Sequence, residues 1–224
     1  MYEDHQRRVG PSIVKANGYN GCMSVRVSVE AMQGAGFPMG GEPLVAVDLA
    51  DTVMTAVRPT VDLIASAEAA EKWWQLEASG LPAGPMPDPS ALRRLRTAVR
   101  DLLDAQLEGR EADSTALEDL NAAAAGAPTS PRLVMTPKGL QGERRWHTEL
   151  GGNAALAAIA GEAITLLADP QRLSTLRRCV NPACSMLFLA ENKRRKWCTG
   201  NLCGNRARVA RHYERTHRER SADA

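Results

Sequence analysis

Cys179, Cys184, Cys198 and Cys203 form two C-x4-C pairs with thirteen residues between the pairs. Thiolate sulfur suits Zn²⁺, and four such ligands complete a tetrahedron with no position left for water. A closed site of this kind is structural, and it offers no vacancy for a metal-activated nucleophile. In Cys179-Val-Asn-Pro-Ala-Cys184 the Asn-Pro step favours a turn, which lets the loop aim both sulfurs at one point. His212 and His217 follow five residues apart, but the four cysteines already fill the coordination sphere. Cys22 is left over and reads as a thiol without a ligand role.

The surroundings of the cysteines are cationic. Residues 1–171 carry 15 basic and 22 acidic side chains, a formal −7, whereas residues 172–224 carry 13 and 4, a formal +9. With four thiolates and one Zn²⁺ the tail stays near about +7, which suits a polyanionic partner. From Gly204 onward Arg208, Arg211, Arg215 and Arg218 recur every three or four residues, so on a helix they share one face. Arg206 sits at the helix start, and Lys193, Arg194, Arg195 and Lys196 form a second basic group upstream. Together these are the candidate phosphate contacts of a DNA-binding surface. Val209, His212 and Tyr213 are expected to turn toward a core.

These side chains need positioning elements. Leu187–Leu189 reads as a short strand, Asn192-Lys193-Arg194 as a turn, Arg195-Lys196-Trp197 as the returning strand, and Gly204-Asn205 as a helix start. Knuckle, hairpin and helix in that order make a treble-clef or zinc-ribbon-like finger, with Phe188 and Trp197 as its small core. A module of roughly 45 residues has too little apolar surface to fold reliably alone, so metal binding and folding are coupled. On this reading Cys198→Ser unfolds the finger and leaves the preceding part folded.

Upstream, residues 1–42 are rich in glycine and read as a mobile leader. Leu44-Val45-Ala46-Val47-Asp48-Leu49 suits a buried strand, with Asp51-Thr52 as turn or cap. Ser66 caps a helix over 67–78 that packs through Trp73 and Trp74. Asp88-Pro89 opens a helix whose Leu92, Leu95, Val99, Leu102, Leu103 and Leu107 form an apolar stripe ending at Gly109. Its Arg93, Arg94, Arg96 and Arg100 are expected on a solvated face. A further helix covers 115–125, and residues 133–135 and 145–147 flank a turn at Pro137-Lys138-Gly139 as a hairpin. Asn153 caps a helix over 154–168, which Asp169-Pro170 ends.

The cysteine usage points to a reducing, cytoplasmic compartment. The longest apolar stretch, 154–168, contains Glu162 and is too short to span a bilayer. No glycine-rich phosphate loop, nucleophile elbow or HExxH pattern is present, and His147 stands alone, so the sequence does not read as an enzyme.

The run Cys179-Val-Asn-Pro-Ala-Cys184, the 187–189 strand, Arg195-Lys196-Trp197-Cys198 and above all Cys203-Gly204-Asn205-Arg206 resemble the CGNR zinc finger. Leu44 to Thr52 resembles the opening LDLxNT-type motif of the ABATE domain, that finger's usual partner, with Asp51 where asparagine is common. Leu120-Asn121 and the alanine-rich helix before Cys179 fit the same architecture. The resemblance implies an α+β protein: a mostly helical ABATE-like domain with a small sheet at 43–170, then the four-cysteine finger at 172–220. It also implies a bacterial transcription regulator. The expected function is thus zinc-dependent DNA binding, with the first domain sensing a small-molecule effector or forming a homodimer; the alternative is a zinc-stabilised protein-interaction module.

Overall fold

The structure, a computed structural model, describes residues 14–15, 25–190 and 192–222, with side chains for 27–190 and 192–216. Cys22 and the beginning of the expected leader lie outside the described residues. Where the description starts, β1 (Val14–Lys15) pairs with β2 (Val25–Arg26), and α1 (Val29–Gly34) follows, capped by the Ser28 hydroxyl.

The expectation of a mobile leader through residue 42 fails from α1 onward. Met32, Phe37 and Met39 are buried in the main core, and Glu42 is buried beside them. The glycines that suggested mobility serve a turn. Gly40 and Gly41 both have positive φ, and a Cβ on either would collide with Met32 or Val29.

Residues expected as a strand form a helix, α2 (Val45–Ala50), with all six side chains buried. A short apolar run carries no periodicity that separates a buried strand from a buried helix. Tertiary context decides here: Leu44 supplies no side-chain cap, and Glu162 from a later helix accepts the Ala46 N–H at 3.2 Å instead. The chain then makes β3 (Val53–Met54) and β4 (Val61–Asp62), an antiparallel pair.

The longer helices follow their sequence signals. In α3 (Ala67–Glu77) Ser66 caps the first turn, and Trp73 and Trp74 are buried. Asp88 caps α4 (Pro89–Glu108), proline stands in the first turn, and Gly109 closes it in the left-handed conformation. Asp113 caps α5 (Ser114–Ala125). The hairpin of β5 (Thr129–Thr136) and β6 (Gly139–Trp146) is longer than expected, with Thr136 opposite Gly139 at the turn. Asn153 caps α6 (Ala154–Ala168), and Asp169 caps the short α7 (Pro170–Leu173).

β7 (Leu176–Arg178) pairs antiparallel with β8 (Leu187–Leu189), so the returning strand expected at 195–197 is replaced by one preceding Cys179. A single turn at 200–204 leads into α8 (Asn205–Ala222). The architecture is α+β and mostly helical, with two-stranded sheets.

One hydrophobic core serves both halves of the chain. Val45, Val47, Leu49, Leu92, Val99 and Ile159 belong to the same cluster as Leu187, Phe188 and Leu189. β8 crosses α2, which itself packs between α4 and α6.

Candidate zinc centre and nucleic-acid interface

The β7–β8 connection is the first knuckle. Within it Cys184 N–H donates to Asn181 O at 2.9 Å, closing the Asn-Pro turn read from sequence, and Cys179 N–H donates to Met186 O at 2.9 Å. Val180 N–H donates to Lys196 O at 3.1 Å and draws the 195–198 segment alongside, bringing Cys198 in. The turn at 200–204 supplies Cys203, and Gly204 N–H returns to Thr199 O at 3.0 Å.

The four sulfurs lie within 4.8 Å of one another, and Cys184 Sγ and Cys198 Sγ are 3.8 Å apart. Zn–S bonds of about 2.3 Å in a tetrahedron put sulfurs about 3.8 Å apart. The donor chemistry fits as well. Burial pushes the Cys179 thiol up to about 11. The hydrogen bond to Cys184, with burial behind it, pushes Cys198 far higher, while that same bond lowers Cys184 to about 5. Without a cation one thiolate shares its neighbours' protons, and a dication lets all four ionise. Asn181 Nδ2 donates to Cys203 Sγ at 3.4 Å, an outer contact that orients the ligand. The cluster holds one structural zinc ion.

The finger is bound to the rest of the chain by buried polar groups in roles that the sequence did not indicate. Asp51, read as a cap, accepts the Leu187 N–H with both carboxylate oxygens at 2.9 Å. Arg100 donates to Ser185 O at 2.7 Å, to Asp104 at 2.8 Å and to Asp51 at 3.3 Å. Glu42 accepts from Leu189 N–H at 2.9 Å and from Arg195 at 2.6 Å. The solvated face expected for α4 is therefore half wrong. Arg94 is exposed, but Arg96 and Arg100 are 7% and 5% exposed, and Arg96 grips Asp62 through both terminal guanidinium nitrogens.

Burial raises the pKa of both Asp48 and Asp51 well above the usual carboxylate range. For Asp51 the Arg100 charge and the Leu187 N–H oppose the rise. For Asp48 the carboxylates of Glu77, Glu42 and Asp51 add to it.

The basic residues separate into two groups. Arg195, expected on the DNA surface, is turned inward. Its guanidinium sits 4.4 Å from the Phe188 ring centroid, donates to Leu189 O and Cys198 O, and pairs with Glu42. Lys193, Arg194 and Lys196 are exposed. So are Arg206, Arg208, Arg211 and Arg215 on α8, while Arg218 lies beyond the described side chains.

Val209 and Tyr213, expected to face a core, are 60% and 64% exposed, and His212 is exposed too. From Asn205 to Arg215 only Ala207 is partly covered. The helix leaves the zinc centre and projects into solvent, braced at its root by a reciprocal amide pair between Gln33 and Asn201.

His147 is not alone, as the sequence suggested. It bridges Ser130 Oγ at 2.8 Å and Glu149 at 2.9 Å, at the base of the β5–β6 hairpin. Arg96 and Trp146 line neither of two surface grooves of about 290 and 240 Å³.

A mostly helical domain sharing its core with a C-terminal four-cysteine finger defines a zinc-finger protein. Residues 44–170 match the ABATE family, described as "putative stress-induced transcription regulator", and residues 175–216 match the CGNR zinc finger. The first match covers more than half of the chain, and the protein belongs to the ABATE family. No curated protein matches it. Neither family description names an enzymatic activity. No described helix is long and apolar enough to cross a membrane.

Proposed function

We propose that this protein is a DNA-binding transcription regulator in which zinc fixes the root of α8 and α8 docks on the duplex. The projection of α8 carries the reading: a helix of eighteen residues, about 27 Å long, that from Asn205 to Arg215 buries almost nothing and aligns Arg208, Arg211 and Arg215 on one face. A helix this exposed gains little from packing on its own chain, and its arginine face is suited to a charged groove. Cys179, Cys184, Cys198 and Cys203 are the zinc ligands, and Lys193, Arg194 and Lys196 add phosphate contacts beside the helix. Arg195 is withdrawn from that set because its donors are already engaged.

The 43–170 segment is the scaffold and the 172–220 segment the reader. For the scaffold we favour dimerisation over effector sensing, since neither groove is lined by a charged side chain.

Fluorescence anisotropy of the zinc-loaded protein on a random DNA duplex, titrated from low to physiological salt, tests the proposal. Five to seven phosphate contacts give a slope of log affinity against log salt of about −4.5 to −6.3. Absence of binding at low salt would overturn the DNA reading and favour an acidic protein as the partner of α8.

A further inference from the structure

The β5–β6 ribbon has strands of eight residues each, yet it pairs with no third strand among the described residues. One face is apolar and open, with Leu133, Met135 and Leu140 at 66%, 75% and 63% exposure. An isolated two-stranded hairpin is at best marginal in water, so a ribbon this long and bare calls for a partner.

Its two edges are not equivalent. The bond from His147 N–H to Pro128 O fixes the parity of the ladder. Residues 130, 132 and 134 then exchange hydrogen bonds inward with 145, 143 and 141, and the alternate residues turn their backbone groups outward. On the β5 edge Pro131 occupies an outward position and has no N–H to offer, which blunts that edge. On the β6 edge Leu140, Gly142, Arg144 and Trp146 keep outward donors and acceptors, and residues 140–145 are exposed.

We propose that β6 pairs antiparallel with β6 of a second copy of this chain, about a two-fold axis through Arg144, to give a four-stranded sheet. Charge selects the register. With the axis at residue 144, Glu143 lies opposite the partner's Arg145, and symmetry repeats the pair. The next allowed register toward the turn sets the two Glu143 side chains against each other, and the next in the other direction does the same to the two Arg145 side chains.

The chosen register also joins existing ion pairs. Arg132–Glu143 at 2.9 Å and Arg145–Glu149 at 3.3 Å become one row of alternating sign across the axis. Gly142, which has open space where a Cβ would stand, falls opposite the partner's Trp146, an aromatic large enough to cover it. Arg144 meets its own copy on the axis, the one like-charge pair. Its guanidinium lies over its own Trp146 ring at 5.9 Å.

This interface rests on the reading of the scaffold as the dimerising part, and its test needs no DNA, so either proposal can fail without the other. Light scattering on the zinc-loaded full-length protein at tens of micromolar should give twice the 24.2 kDa chain mass. Arg144→Pro blunts the β6 edge as Pro131 blunts the β5 edge, and it should give a monomer with wild-type circular dichroism and zinc content.

Glu143→Arg or Arg145→Glu alone should each weaken the dimer about tenfold. Combining them should restore it, because 143 and 145 are again complementary between chains, although Arg132 and Glu149 then face like charges within each chain. A monomeric wild type would overturn the proposal and leave the edge to a different protein. A dimer that survives Arg144→Pro, or a double variant weaker than both singles, would also overturn it.

Discussion

Asp51 is where the two halves of the chain meet. Both of its oxygens hold the Leu187 N–H, and Arg100 lies against it with only 5% of its surface exposed. Asp51→Ala leaves the Leu187 N–H without its acceptor and takes one of two carboxylates from Arg100, with Asp104 remaining, which should cost about 1–3 kcal/mol. Urea unfolding of the zinc-loaded protein measures it, and a loss below about 1 kcal/mol would show the contact to be dispensable. Asp48 shares the raised pKa of Asp51 but lacks the opposing Arg100 charge. It is 1% exposed, one carboxylate oxygen has no hydrogen-bond partner, and burial followed by Glu77 raises its pKa well above the carboxylate range. A raised folded pKa means that folding favours the protonated acid. The associated stability is present below the ordinary carboxylate range and is lost as pH rises through the folded value. Asp48→Asn cannot ionise, so its stability relative to wild type should increase as pH rises from the weakly acid range. Urea midpoints that run parallel for the two proteins would refute this.

At the scale of elements, helices with their own N-terminal capping signals were legible. Ser66, Asp88-Pro89 and Asn153 cap the helices that their types predict, because capping is a local hydrogen bond needing only the next few residues. α2 was not legible, since its cap is Glu162, more than a hundred residues away. α8 was legible as a basic helix but not as a free one, because a stripe of arginines does not say what the opposite face touches. Its exposure sharpens a prediction. Arg208→Ala with Arg211→Ala should reduce the salt slope of DNA binding by about 2 and lower affinity while zinc content stays at that of wild type. An unchanged slope would move the contact surface away from α8.

For the whole molecule, the continuous core changes what zinc loss should do. The sequence reading confined the damage of Cys198→Ser to the finger, but Leu187, Phe188 and Leu189 are core partners of α2 and α4. Losing the centre frees β8 and uncovers α2, so Cys198→Ser or chelation should increase amide exchange in α2 as well as around the cysteines. The loss should amount to several kcal/mol, since structural zinc binding is folding free energy. Native protection of α2 in a zinc-free protein would restore the picture of two independent domains.

The sequence by itself determined the four-cysteine cluster, the strand at 187–189, the helix after Cys203, the capped helices and the cationic tail. Each is written in neighbouring residue types, in spacing or in a sum of charges. Only the tertiary structure decided that residues 29–42 belong to the core, that Arg96, Arg100 and Arg195 face inward, and that the finger is fastened through Glu42 and Asp51. A charged side chain enters a core only when a partner from elsewhere meets it there. These partners lie from about thirty to more than a hundred and fifty residues away, beyond the reach of any local pattern.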